Sequence, residues 1–551
     1  MVTRRQILLF LGALTSLVLV SQQSIAETVH GYFHLVATST PIANYCKSSS
    51  DTAENEYFNG VIVAVCTATA NLDSVTAATV PSVTPDYTIT SLSPYTQVRN
   101  TPAAASTLTW VNPGFTLPAD PTGAAQAFTP NFQPLNSTWR LVRTGFTKTS
   151  FGLNMYPYLA VNPDIPYPAV RLFVHWSNMA SKSGSNPVVY NFDVKYDPAT
   201  GSETFRQAMN RFYKAGSKID IVLLDTPAYA QLNPSSPATP GGVPGSSSLF
   251  SGQDAANFLK ALIKTFPSMI RSIELWNEAN LKVNTTDNRG YFSGSIEDLV
   301  TVCREMYEAI KETDSTITVV SPSFLYPGGA AQSGDADRYI DDYVRRFGEL
   351  GGFNWCDVLA LHYYLSDATL AVTPKGSIPD NILIINNSTW NVYKMYGDIW
   401  ITEAGTLGGA NNYYSADRAL SQTIQNALFA FINGASQYDF YNWVDDSMST
   451  DVAARMQSST KLKYGWAQLM HDLDGLKLVS RHGNNFDDLQ VVKLVNSSGQ
   501  NSYLAWTNGK PFVMNSSALT GVTKIKKLNG TVTIISDNAV PVTAIPVLLT
   551  P

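Results

Sequence analysis

Charged side chains are scarce in this sequence: Asp, Glu, Lys and Arg make up 15% of its 551 residues, against about 25% in typical soluble proteins. The balance is mildly acidic, at a net charge of −6, so the basic face that a nucleic-acid partner requires is missing. Only six His occur, none in a His-Glu-x-x-His or Cys/His grouping with ligand spacing, and no metal site is expected. A Gly-rich phosphate loop and a Gly-x-Ser-x-Gly elbow are also absent, which excludes nucleotide-dependent and α/β-hydrolase chemistry by those motifs, and no cofactor is expected. Beyond residue 20 no apolar run is long enough to span a bilayer.

The start of the chain reads as an export signal over residues 1–26. Arg4-Arg5 precede a mostly apolar run from Ile7 to Val20, and Ser24-Ile25-Ala26 supplies small residues for cleavage. The paired arginines also resemble a twin-arginine signal. A secreted or periplasmic protein without a transmembrane segment is therefore expected, and its four cysteines permit two bridges. Proximity in sequence favours Cys46 with Cys66 and Cys303 with Cys356.

What the chain has in quantity is aromatic side chains, at 11% with 10 Trp and 27 Tyr. Few charges and many flat rings suit a carbohydrate partner. Residues 27–147 are rich in Thr, Ala, Ser and Pro with short β-branched runs, which predicts a β-rich N-terminal region without chemistry of its own. From 148 to 466 strands alternate with amphipathic helices, the signature of a parallel α/β architecture. Eight apolar runs can be counted there: 150–155, 169–176, 219–224, 273–275, 316–320, 356–364, 399–403 and 437–443. With helices predicted over 254–264 and 295–311, the second capped by Ser295, the count predicts a (β/α)8 barrel. Residues 467–551 return to short alternating runs between Gly, Asn and Ser turns and predict a C-terminal β-sandwich.

Two of the barrel runs end in a glutamate. In Arg271-Ser-Ile-Glu-Leu-Trp-Asn-Glu-Ala-Asn280, Ile273 and Leu275 alternate with polar neighbours before Trp276, Asn277 and Glu278 emerge. In Asp398-Ile-Trp-Ile-Thr-Glu-Ala-Gly405, Glu403 stands directly before a small-residue turn. Barrel active sites gather at the C-terminal ends of the strands. Two carboxyl groups about 5 Å apart there would hydrolyse a glycosidic bond with retention. Glu278 and Glu403 are the candidate catalytic pair.

Trp276-Asn277-Glu278 followed by Ala279-Asn280-Leu281, together with Thr402-Glu403, resembles clan A of the glycoside hydrolases, and most closely family 39. The resemblance spans roughly residues 148–466. It implies that Glu278, closing strand four, is the acid/base and that Glu403, closing strand seven, is the nucleophile. It also implies that Asn277 bonds the sugar 2-hydroxyl, that Arg171 on strand two supports the nucleophile, and that His362 or Tyr364 on strand six contacts it. Trp443 on strand eight is the expected platform under the sugar, with Trp176, Tyr229 and Tyr291 as further sugar contacts. The sequence departs from the family at Ala279, where Pro is usual, and at Tyr229, where Trp is common. The expected activity is retaining hydrolysis of β-glycosidic bonds in a polysaccharide or oligosaccharide; the alternative is a non-catalytic glycan-binding protein on a degenerate barrel.

Overall fold

The computed structural model describes residues 29–34, 52–58, 61–68, 121–134, 145–155, 162–195, 203–238, 244–281, 290–326, 340–365, 398–406, 416–443, 456, 460–482, 489–507 and 511–551. The chain divides into two compact units, 1–110 and 111–551. In the first, the strand Val61–Ala68 pairs antiparallel with Val29–His34 on one side and Thr52–Phe58 on the other. The export segment and Cys46 lie outside the described residues, so the expectations placed on them stay as they were.

The second unit is built on a parallel barrel. Its strands are β1 (Phe151–Asn154), β2 (Ala169–His175), β3 (Lys218–Leu224), β4 (Ile270–Glu274), β5 (Thr318–Val320), β6 (Val358–Leu365), β7 (Asp398–Thr406) and β8 (Ala435–Phe440). Each pairs in parallel with its sequence neighbours. The ring closes through β8 on β1 and through Val320 of β5 opposite Val358 of β6.

Six helices of the described residues cover the barrel: α1 (Phe205–Lys214), α2 (Gly252–Thr265), α3 (Ile296–Thr313), α4 (Ile340–Glu349), α5 (Ala416–Ile432) and α6 (Thr460–Leu473). Their local causes are ordinary. In α1, Phe205, Ala208, Met209 and Phe212 recur at helical spacing and are buried, while Thr204 and Gln207 cap the start reciprocally. Ser295 caps α3 as expected, accepting from the Asp298 N–H at 3.1 Å while Asp298 accepts from the Ser295 N–H at 2.9 Å.

Outward-facing strand residues such as Val170, Leu172 and Val174 pack under the helices. The inward layer is different: Asn154, Arg171, Asp220, Ser272, Glu274, His362, Gln437 and Asp439 are all buried. Branched apolar residues usually fill this space. Gly152 makes room for it, because a Cβ there would lie 1.9 Å from Asp439 Oδ1.

The C-terminal strands form a seven-stranded and a two-stranded antiparallel sheet. Between them sits a core of Val491, Tyr503, Ala505, Met514, Val540 and Leu549. Phe132–Pro134, placed by sequence with the N-terminal region, is instead the edge strand of the larger sheet, paired with Lys477–His482. Trp506 does not face solvent: it is buried edge-on against Phe429 of α5.

The expected Cys303–Cys356 bridge is not formed, and both thiols are free. Cys303 is instead a small apolar core residue of α3, and its burial pushes the thiol pKa well up, away from reactive thiolate.

Candidate active site

Glu278 follows β4 in a strained turn at φ +41°, a region that L-residues seldom adopt. The loop after β5 holds it there. The Glu278 N–H donates to Ser323 Oγ at 2.9 Å, the Ser323 N–H to the Trp276 carbonyl at 2.9 Å, and the Ala279 N–H to the Ser323 carbonyl at 3.0 Å. Asn280 extends the clamp, donating to the Leu325 carbonyl and accepting from its N–H. The departure at Ala279 thus has a local use, because a proline there would have no N–H to donate.

Glu403 reaches the same end of the barrel from β7. The β6–β7 register shifts between Leu361 and His362, which brings Glu403 opposite His362; bulges of this kind re-aim side chains beside active sites. Oxygens of Glu278 and Glu403 and a nitrogen of His362 all lie within 4.8 Å of one another.

Arg171 joins the pair from below and is 1% exposed. All five of its N–H donors are directed at acceptors. Nε and Nη2 grip Glu274 at 2.9 Å each, and Nη2 also donates to Asn277 Oδ1 at 3.1 Å. Nη1 donates to Asn154 Oδ1 and Glu403 Oε2 at 2.8 Å each. Burial opposes the guanidinium charge, but Glu274 and Glu403 outweigh it and raise its pKa. Burial would likewise raise Glu274, yet Arg171 and His362 bring it down to about 2.

His362 is 0% exposed. Its Nδ1 lies 3.0 Å from Glu278 Oε1 and 3.8 Å from Glu403 Oε2, and its Nε2 lies 3.1 Å from Thr402 Oγ1 and 3.7 Å from Glu274 Oε1. Burial works against a charged ring, but Glu403, Glu274 and Glu278 overcome it and hold the pKa at about 9. Both ring nitrogens therefore face carboxylate or hydroxyl oxygens that favour the protonated ring.

Glu278 is shifted the opposite way from Glu274. Burial raises its pKa most, His362 pulls it back, and Glu403 adds to the rise. One carboxyl group is thus biased toward its acid form beside a second that is bound to a guanidinium.

The sequence-predicted residues divide accordingly. Glu278, Glu403, Asn277, Arg171 and His362 converge. Arg171 and His362, however, touch carboxylates from within the barrel and are too deeply buried to contact a sugar. Tyr364 lies on β6 opposite Gly405, and its side chain lies outside the described residues.

The expected sugar contacts fare worse. Trp176 is 0% exposed, packed against Tyr229, Phe250 and Phe258. Tyr229 stands edge-on to that ring at 6.2 Å and is only partly buried. Trp276 turns inward, stacking on Phe250 at 4.5 Å and donating from Nε1 to the Tyr291 carbonyl at 2.8 Å. Trp443 does stand past the end of β8, its N–H on the Asn154 carbonyl, but its ring is 3% exposed and belongs to the core, which leaves little face for a sugar. Tyr291 is partly buried, and burial first, then Glu278 and Glu403, push its hydroxyl pKa well up.

Glu274, Asn154, Thr402 and the buried, hydrogen-bonded His175–Asp225 pair at the ends of β2 and β3 are site residues that the sequence reading does not single out. An arginine inside an otherwise apolar strand was the available signal, since five donors need more than one carboxylate.

No family model matches this chain, and no curated protein matches it. Among solved structures it is similar to the catalytic domain of the family 30 glycoside hydrolase xylanase C from Talaromyces cellulolyticus, at 13% identity and a TM-score of 0.49 over 77% of this chain and 99% of that one. It is also similar to the family 44 endoglucanase Cel44A from Clostridium thermocellum (13%, 0.46, 76% and 98%). A third similar structure is CelM2, a bifunctional glucanase-xylanase from a metagenome library (12%, 0.47, 74% and 96%).

Proposed function

We propose that this protein is an exported retaining β-glycosidase of the clan A type, nearest in its motifs to family 39, acting on a polysaccharide or oligosaccharide. One observation carries the reading: oxygens of Glu278 and Glu403 within 4.8 Å of each other at the C-terminal end of the barrel. Retaining enzymes hold their carboxyl groups about 5–5.5 Å apart, whereas inverting ones need about 6.5–9.5 Å to admit a water.

In the first step Glu403 attacks the anomeric carbon and forms an ester. The glycosidic C–O bond breaks, and its electron pair goes to the leaving oxygen, which takes the proton from Glu278. Burial and the Glu403 charge keep that proton on Glu278 until it is needed. Once Glu403 is esterified its charge is gone and the Glu278 pKa falls. Glu278 then takes a proton from water as the water attacks the anomeric carbon and releases Glu403. Asn277, whose Oδ1 is held by Arg171, has its amide N–H groups for the sugar 2-hydroxyl.

A 2-fluoro β-glycoside with an activated leaving group tests this. It should esterify Glu403, identifiable by peptide mass, and Glu403→Gln should neither label nor turn over substrate. Labelling elsewhere, or no hydrolysis across a panel of aryl β-glycosides and polysaccharides, would end the proposal.

A further inference from the structure

Double displacement as set out above gives no task to Glu274, the third buried glutamate of the centre. Its two oxygens receive two Arg171 N–H groups at 2.9 Å each, and Oε1 also faces His362 Nε2 at 3.7 Å. Both hydrogens of Arg171 Nη2 are taken by Glu274 and Asn277. The 3.3 Å approach of Nη2 to His362 Nε2 therefore has no hydrogen left for it. Nε2 instead faces the oxygens of Thr402 and Glu274, and Nδ1 faces Glu278, so each ring nitrogen has an acceptor for a proton.

We propose that Glu274 is a positioning residue that sets the charge of the centre: it clamps Arg171 against Glu403 and keeps His362 cationic, so that the buried cluster is neutral in both half-reactions. The inference rests on the glycosidase reading. Before attack, Glu274 and Glu403 are negative, Arg171 and His362 positive, and Glu278 neutral. In the glycosyl-enzyme Glu403 is a neutral ester and Glu278 has given up its proton, so the negative charge has only moved across His362 Nδ1, which lies between the two. No charge enters or leaves a site where an unpaired ion would be costly.

Without Glu274 the same groups carry one surplus positive charge, and the ring sheds its proton. Glu278 then lacks the cation that favours its carboxylate in the second step, and the glycosyl-enzyme is hydrolysed slowly. The groups facing His362 are Arg171 from β2, Glu274 and Glu278 from β4 and the turn after it, and Thr402 and Glu403 from β7.

The test compares Glu274→Gln and Glu274→Asp with the parent protein. His362 is followed by NMR in the resting protein, its signal assigned by loss in His362→Asn. In the parent and in Glu274→Asp the ring should stay protonated through neutral pH, losing its proton near pH 9. In Glu274→Gln the midpoint should fall by about one unit or more. With aryl glycosides of good leaving group, Glu274→Gln should lose about tenfold or more in kcat with KM falling alongside, as accumulation of the covalent intermediate requires. A ring that titrates alike in the parent and Glu274→Gln, or equal loss of its charge in Gln and Asp variants, would overturn the proposal. This NMR readout needs no turnover, so failure of the parent reading, seen as absence of labelling at Glu403, is distinguished from failure of the clamp.

Discussion

Replacing Arg171 with Met keeps the length of the side chain and removes its charge, which leaves Glu274 and Glu403 without their shared counter-ion in the barrel interior. The size of the effect follows from Glu274. A carboxyl group lowered from 4.5 to about 2 in the folded state contributes about 3 kcal/mol of stability. That agrees with the ~3–5 kcal/mol expected when one partner of a buried pair is removed. Because the folded pKa is depressed, the contribution is fully present above pH 4.5 and is lost as pH falls toward 2. Less than about half of it remains at pH 3. Arg171→Met should therefore lie about 3–5 kcal/mol below the parent at pH 7, with the gap narrowing by more than about 1 kcal/mol at pH 3. Chemical denaturation followed by the fluorescence of the buried Trp176, Trp276 and Trp466 measures both. An equal gap at the two pH values would mean that Arg171 acts by packing, and the electrostatic account would fail.

Three further outcomes are expected. His362→Asn removes the cation that pulls the Glu278 pKa down, so the basic limb of the pH–rate profile should move up by about one unit; a downward move would contradict the assignment of Glu278 as the acid. Asp439 is raised by burial and then by Asp220, so its contribution to stability is complete below about pH 4 and declines as pH rises. Asp439→Asn should match the parent near pH 4 in thermal denaturation and exceed it by about 1 kcal/mol or more at pH 7. Trp176→Ala should cost about 3–5 kcal/mol of stability while KM for an aryl glycoside changes less than about threefold, since the ring packs inside the barrel wall; a tenfold rise in KM with unchanged stability would restore it as a sugar contact.

The barrel was legible in the sequence because eight short runs rich in apolar residues alternate with amphipathic helical stretches. The glutamate pair was legible because each acid closes such a run. Glu274 was hidden by the same alternation that revealed its strand. Ile273 and Leu275 mark one face of the strand and Ser272 and Glu274 the other, and in a closed barrel that second face is the interior, where Arg171 waits. The aromatic residues were misjudged for another reason. A flat ring at a strand end serves a sugar or the core equally well, and only the placement of Phe250 and Phe258 around Trp176 decides between them.

The Ala279 N–H bears on how this turn can vary. Where proline stiffens the equivalent position, rigidity comes from a ring; here it comes from a main-chain link to Ser323. The two solutions exclude each other, since installing the ring severs the link. A proline at 279 would cost this one link, while the Ser323 hydroxyl would still hold the Glu278 N–H.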